Sequence, residues 1–206
     1  MKLDYVDIFY CHRYDPQTPV EETLRTIDDL IRQGKILYAG FSEWTAAQIE
    51  EAVRISQGFL LDRIVVNQPQ YSLLNRYIEK EILPISKKHG VGQVVFSPLA
   101  QGILTGKYKG GKIPKGSRVD NTAINTFVKS FFTEENIAKV DVLADLARTA
   151  NLTMAQLALA WVLRDPSIAS ALVGASRPEQ IEANVKASGV VLSPEILEQI
   201  DQLFPA

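Results

Sequence analysis

Short apolar segments alternate with longer amphipathic segments along the chain. Five short segments are rich in β-branched and aromatic residues, which favours β-strands over Tyr5–Tyr10, Ile36–Phe41, Ile64–Val66, Val94–Ser97 and Ala171–Val173. The first four begin 28 to 31 residues apart, which is the length of one strand–helix unit. Regular alternation of this kind predicts an α/β fold with a parallel sheet.

The amphipathic segments carry helix start signals. Thr18-Pro19-Val20-Glu21 is typical of a capping box with proline at the first helical position, and Gly34 would end that helix. Further helices are predicted from Thr45, over about Arg76–His89, over Thr133–Ala150, over Thr153–Leu163, after the cap Ser176-x-x-Glu179 and from Ser193.

The number of units leaves two architectures open. No linker or break in composition divides residues 1–206, so we expect a single αβ domain. A closed (β/α)8 barrel typically needs about 250 residues and eight units, whereas five units are recognisable here. The periodicity therefore fits either an open, doubly wound sheet of five strands or the C-terminal part of a barrel.

Composition excludes several classes of protein. The formal charge of −2 gives no general attraction to nucleic acid or anionic membranes, and no run of 18 apolar residues predicts a transmembrane helix. The single cysteine cannot form an internal disulfide, and the acidic N-terminal segment is unlike a signal peptide, so we expect a cytoplasmic protein. With two histidines and one cysteine, we expect no metal site.

Candidate ligand-binding residues follow the predicted strands. His12, Ser42, Gln68, Ser97 and Gly174 lie at or just after strand ends. In parallel α/β folds this edge of the sheet binds ligands, although any one of these residues could simply end a strand at the surface.

Cys11 and His12 do not form a nucleophile–base pair, because adjacent strand residues point to opposite faces of a sheet. We expect Cys11 to be a buried strand cysteine. His12 is either a functional residue at the mouth of the sheet or a structural histidine.

Two glycine-containing segments are candidates for binding anions. Gly106-x4-Gly111-Lys112 has the spacing of a P-loop, but Ile113 replaces the Mg²⁺-binding hydroxyl residue, which argues against an NTPase. The cations of this segment indicate either a solvated loop or a basic flap: Lys107, Lys109, Lys112, Lys115 and Arg118. Arg177, at the start of a predicted helix, suits a phosphate, and the alternative is an ordinary helix cap.

Five segments, in order, closely resemble the aldo-keto reductases, and in particular the branch that contains the potassium-channel β subunits and related bacterial reductases. They are Leu3-Asp-Tyr-Val-Asp-Ile-Phe-Tyr-Cys-His-Arg13, Gly34-Lys-Ile-Leu-Tyr-Ala-Gly-Phe-Ser42, Val66-Asn-Gln-Pro-Gln-Tyr-Ser-Leu-Leu74, Phe96-Ser-Pro-Leu-Ala-Gln-Gly-Ile-Leu-Thr-Gly-Lys-Tyr108 and Gly174-Ala-Ser-Arg-Pro-Glu-Gln-Ile-Glu-Ala-Asn184. The resemblance implies a (β/α)8 TIM barrel that reduces small aldehydes or ketones with NADP(H) and without metal.

The resemblance also implies roles for individual residues. His12 matches the histidine that orients and polarises the substrate carbonyl, and Ser42 and Gln68 match positions that hold the nicotinamide carboxamide. Phe96 matches the aromatic position beside the nicotinamide ring. The loop that crosses the pyrophosphate is matched by Ser97, Pro98, Leu99, Ala100, Gln101, Gly102 and Lys107. The 2′-phosphate and adenine end is matched by Arg118, Gly174, Ser176, Arg177, Gln180 and Asn184.

One departure from the family bears on activity. The family's catalytic Asp, Tyr and Lys lie before the histidine strand, so we expect this chain to comprise the C-terminal five βα units, a truncated barrel that is weak or inactive alone. The alternative is a non-enzymatic NADP(H)-binding, scaffold or regulatory module. Exposed sheet edges lead us to expect a homo-oligomer.

Overall fold

The computed structural model describes residues 2–121 and 126–206. Its strands are β1 (Val6–Cys11), β2 (Ile36–Ser42), β3 (Ile64–Gln68), β4 (Gly92–Phe96) and β5 (Ile168–Leu172). Its α-helices are α1 (Val20–Arg32), α2 (Ala46–Phe59), α3 (Ile82–His89), α4 (Thr126–Lys129), α5 (Glu134–Thr149), α6 (Met154–Val162), α7 (Pro178–Val185) and α8 (Pro194–Leu203). Short 3₁₀ helices cover Tyr77–Glu79, Ala100–Thr105 and Lys109–Gly111.

The chain divides into two compact units, and the first comprises the residues up to Pro69 together with Ile78–Val95. Its strands pair in the order β1-β2-β3-β4, and every pairing is parallel. Helix α1 contacts β2 and α2, and α2 contacts α3. The parallel α/β fold predicted from the strand spacing is therefore confirmed.

The second unit comprises Gln70–Tyr77 and the described residues from Phe96 to Ala206. Helix α6 is apolar apart from Gln156 and contacts α5, α7 and β5, with the Trp161 side chain fully buried. Two guanidinium groups lie over the Trp161 ring, that of Arg164 at 3.7 Å and that of Arg76 at 5.0 Å from its centroid. Arg76 also donates to Asp201 at 2.8 Å, which ties α8 to the segment before Tyr77.

Most helix predictions are confirmed. Thr45 and Thr153 form complete capping boxes with Gln48 and Gln156, so α2 and α6 begin where the sequence indicates. Thr133 and Ser193 cap α5 and α8 with their hydroxyl groups alone, each accepting a hydrogen bond from a backbone N–H of the first turn. Gly90 ends α3 in the left-handed conformation.

Two predicted capping boxes are wrong. Helix α1 begins after Pro19, and the Thr18 hydroxyl instead donates to the nearby Asp15 carboxylate at 2.8 Å. Helix α7 begins at Pro178, whose fixed φ suits the first helical position and leaves Arg177 as the N-cap. Ser176 therefore lies outside the helix, where its backbone N–H donates to the Gln180 side chain at 2.9 Å.

The helix predicted over about Arg76–His89 is divided into a 3₁₀ helix and α3. Pro84 explains the division, because a proline is tolerated only in the first turn of a helix, where its missing N–H has no partner to lose. Helix α3 begins at Ile82, which places Pro84 in that turn.

Burial corrects the expectation for Cys11, which is half-buried rather than buried. Opening a barrel by removing three strands would expose interior residues such as Val6, Ile8 and Val95, but of these three only Ile8 is exposed. Val95 is fully buried because it shares the covered face of β4 with Gln93. The single domain over 1–206 and the partial barrel stay predictions.

Candidate functional site

In the first unit, three candidate residues lie at the ends of neighbouring strands. His12 directly follows β1, while Ser42 and Gln68 are the last residues of β2 and β3. The parallel register pairs Ser42 with Gln68, and the buried Ser42 hydroxyl donates to the backbone carbonyl oxygen of Gln68 at 2.8 Å. The structure therefore brings Ser42 and Gln68 together.

His12 lines a cavity of about 290 Å³. The exposed imidazole shares this cavity with the aromatic rings of Tyr14 and Trp44. Trp44 stacks on Phe41 with ring centroids 3.7 Å apart, and Tyr14 meets Trp44 edge-on at 4.9 Å. A cavity with aromatic walls and one imidazole suits a small molecule that carries a hydrogen-bond acceptor.

Cys11 lines the same cavity, but its thiol is not activated as a nucleophile. Burial raises the pKa of the Cys11 thiol above its ordinary value. The thiolate is the nucleophilic form, and a raised pKa keeps the group protonated near neutral pH. This agrees with the sequence argument against a Cys11–His12 pair.

Tyr10 is a residue near this site that sequence reasoning missed. Its phenol makes a hydrogen bond with the Gln68 side chain, while burial raises its pKa. Strand β2 lies between them, and a Cβ at Gly40 would come within 2.8 Å of the Tyr10 ring and 2.6 Å of Val66. In the sequence, Gly40 is the feature that indicates this contact, because glycine within a strand often marks the close approach of another group.

In the second unit, the segment after β4 has an unusual backbone. Ser97, Ala100 and Gln101 have positive φ angles of 55°, 45° and 58°. Such conformations are uncommon for residues other than glycine and concentrate at ligand-binding sites. Pro98 and Ala100 are buried, whereas Phe96, Ser97, Leu99 and Gln101 are half-buried.

Hydrogen bonds join this segment to Arg118. The Gln101 side-chain nitrogen Nε2 donates to the Ser97 hydroxyl at 2.5 Å. The Arg118 guanidinium donates to the side-chain oxygen Oε1 of Gln101 at 2.7 Å. A Cβ at Gly174 would lie 3.7 Å from the Arg118 guanidinium. Residues from three separate parts of the second unit thus meet around one cation.

Lys107 folds back over the same segment. A Cβ at Gly102 would lie 2.6 Å from the Lys107 Nζ, and the φ of +98° at Gly102 favours glycine in any case. A side chain at this position would displace the ammonium. The other predicted cations of the loop, Lys109, Lys112, Lys115 and Arg118, are exposed as expected.

The residues after β5 are open to solvent. Gly174, Ser176 and Arg177 are exposed, and Arg177 precedes the first turn of α7. Gln180 is held by its bonds to Ser176, while Asn184 is half-buried later in α7.

Metal-ligating clusters and membrane-spanning helices are both absent from residues 2–121 and 126–206. No group of three or more His, Cys, Asp or Glu side chains is placed to hold a metal ion. Within the same ranges, no helix has the length and hydropathy needed to cross a membrane.

Comparison with known proteins assigns the family. A sequence model of the Aldo/keto reductase family matches residues 1–204. The chain belongs to the aldo/keto reductase family, which confirms the resemblance seen in the sequence.

The relatives within this family carry two kinds of name. A probable voltage-gated potassium channel subunit beta of Arabidopsis thaliana is 40% identical, over 99% of this chain and 63% of the relative. A putative voltage-gated potassium channel subunit beta of Schizosaccharomyces pombe is 43% identical, over 98% and 60%. An L-glyceraldehyde 3-phosphate reductase of Escherichia coli strain K12 is 40% identical, over 98% and 59%. The chain thus spans about 60% of the length of these relatives.

Proposed function

We propose that this chain provides the cofactor-binding and carbonyl-orienting residues of an NADPH-dependent reductase of small aldehydes or ketones. The hydrogen-bonded cluster of Ser97, Gln101 and Arg118 carries this proposal. A guanidinium beside a glycine-containing loop suits the binding of a phosphate. Family membership supports the reaction class.

The residues of the second unit fit the phosphates of NADP(H). We assign the segment from Ser97 to Lys107 to the pyrophosphate, because it holds an ammonium against its own backbone at Gly102. Arg118 and Arg177 are assigned to the 2′-phosphate, which distinguishes NADPH from NADH. The N-terminus of α7 adds backbone N–H groups that favour an anion. The remaining residues assigned to this end are Gly174, Ser176, Gln180 and Asn184.

The nicotinamide end is assigned to Ser42, Gln68 and Phe96. The Ser42 hydroxyl already donates to Gln68, which leaves its oxygen to accept from a carboxamide N–H. NADPH, when bound, supplies hydride to the carbonyl carbon. His12 is assigned to hold the carbonyl oxygen of the substrate by donating a hydrogen bond in the cavity that it lines.

Calorimetric titration of the 206-residue chain with NADPH and NADH tests the cofactor assignment. We expect tighter binding of NADPH and a loss of about 10-fold in NADPH affinity on Arg177→Ala, with little change for NADH. Arg148→Ala is the matched control, because it removes the same charge from α5. Equal losses for both nucleotides, or binding of neither by the parent chain, would count against the proposal.

A second function is favoured by the names of two relatives, which are called potassium channel β subunits. In that case the chain binds NADP(H) as part of a regulatory or scaffold protein without turnover. Turnover of 4-nitrobenzaldehyde separates the two functions. It is measured on a hybrid in which the part of the Escherichia coli relative outside the match is joined to this chain. Activity that His12→Ala abolishes favours the reductase, and NADPH binding without turnover favours the second function.

A further inference from the structure

We propose that Gln101 is a positioning residue, which holds Arg118 in place for the 2′-phosphate and so sets the preference for NADPH without touching the phosphate. This inference rests on the proposed function. It assigns the Gln101 side chain a role of its own, separate from the backbone of the loop that surrounds it.

The orientation of the Gln101 amide is fixed by its two partners. An arginine can only donate hydrogen bonds, so the amide oxygen must face Arg118, and the amide nitrogen then faces the Ser97 hydroxyl. Both ends of the amide are occupied. The side chain therefore acts as a rigid link between the segment after β4 and a residue that lies 17 positions further along the chain.

The backbone of Gln101 supports the same interpretation. A φ of +58° is unfavourable for a glutamine, and residues in this region persist where their surroundings hold them. The following residue, Gly102, has a φ of +98°. This turn is what directs the Gln101 amide back toward Ser97 and outward to Arg118.

Arg118 benefits from such a link because its surroundings fix it weakly. It is exposed and lies among turns rather than in a helix or strand. A guanidinium has five N–H donors, so one bond to Gln101 leaves others for a phosphate. Holding a long side chain in its binding conformation lowers the entropy that binding must otherwise remove.

Two substitutions separate positioning from charge. Gln101→Ala removes the link, and we expect about 3- to 10-fold weaker NADPH binding, with a clearly smaller loss for NADH, which shares the pyrophosphate but lacks the 2′-phosphate. Gln101→Glu keeps an acceptor for Arg118 but places a negative charge beside the 2′-phosphate, so NADPH should weaken while Arg118 stays held. Gln202→Ala, an exposed glutamine of α8, is the control.

Trypsin provides a readout that needs no cofactor. Cleavage after Arg118 requires its side chain to leave Gln101, whereas Lys115 in the same exposed segment is an internal reference. We expect the ratio of Arg118 to Lys115 cleavage to rise several-fold in Gln101→Ala and to stay near the parent value in Gln101→Glu.

The outcomes are distinct. An unchanged cleavage ratio in Gln101→Ala, or equal losses for NADPH and NADH, would overturn the positioning role. If the parent chain binds neither nucleotide, the proposed function fails and this inference with it, and the cleavage ratio then reports only whether the link exists. A changed ratio together with a loss that is several-fold larger for NADPH than for NADH supports the inference.

Discussion

Gly40 lies within β2, where its neighbours leave no room for a side chain. A Cβ there would lie 2.6 Å from the Val66 Cγ1, 2.7 Å from the Val66 carbonyl oxygen and 2.8 Å from the Tyr10 ring. Two of these contacts involve backbone or a β-branched side chain, which cannot move away easily. Gly40→Ala should therefore destabilise the protein by about 1–3 kcal/mol, measured by urea denaturation.

Gly58→Ala is the matched control for Gly40→Ala. Gly58 lies in α2, and a Cβ there meets nothing within 4 Å. Alanine is the better helix former, so this change should stabilise the protein by about 0.5–1 kcal/mol. Equal effects of the two substitutions would show that the crowding at Gly40 is relieved by movement of β1 or β3.

Asp28 provides a stability contribution that depends on pH. Its buried carboxylate accepts from the Asp62 backbone N–H at 2.8 Å and from Arg32 at 2.6 Å. These bonds, the Asp62 bond foremost, lower the pKa of Asp28 below its ordinary value. Because the pKa of Asp28 is lower in the folded chain than in the unfolded chain, its ionised carboxylate stabilises the fold at pH values above the ordinary pKa. This contribution is lost as the pH falls through the lowered pKa of the folded chain.

The test of Asp28 is urea denaturation between pH 7 and pH 3. Asp28→Asn should destabilise the chain by about 1–3 kcal/mol at pH 7, and the difference from the parent should shrink as the pH falls. A difference that stays constant over this range would contradict the assignment.

Residue positions at the strand ends could be predicted from the sequence, whereas contacts through loops could not. Ser42 and Gln68 meet because parallel strands of predictable spacing end side by side. The Gln101–Arg118 contact depends on a turn with three non-glycine residues at positive φ, which no sequence pattern specifies.

At the scale of elements, the two kinds of threonine cap give a direct comparison. Thr153 caps α6 by accepting from the Gln156 backbone N–H, whereas Thr18 donates to Asp15 and caps nothing. Thr153→Ala should cost about 0.5–2 kcal/mol of stability by urea denaturation. Thr18→Ala should stay within about 0.5 kcal/mol of the parent. A loss of stability on Thr18→Ala as large as that on Thr153→Ala would contradict this and would support the capping box that the sequence indicated.

Helix existence could be predicted better than helix boundaries. The apolar stripe of α1 and the capping boxes of α2 and α6 are local signals that survive folding. The starts of α3 and α7 follow instead from where Pro84 and Pro178 can be accommodated. Competition between a cap and a nearby proline or carboxylate is what the sequence pattern alone did not resolve.

At the scale of the whole molecule, β1 exposes apolar side chains on both faces. Ile8 pairs with Tyr38 on one face and Phe9 lies on the other, and all three are exposed. Exposed apolar surface on a strand with few charges promotes association. We expect the 206-residue chain to elute as an oligomer in size-exclusion chromatography with light scattering. A soluble, cooperative monomer near 22.9 kDa would contradict this.

The location of bound cofactor tests the central claim most directly. Hydrogen–deuterium exchange of the 206-residue chain, followed by mass spectrometry with and without saturating NADPH, reports which backbone amides the cofactor protects. The account predicts slower exchange over residues 97–107 and 174–184 and at the ends of β2 and β3, with no change in α5. Protection elsewhere, or none in these segments although NADPH binds, would contradict the assignment of the site.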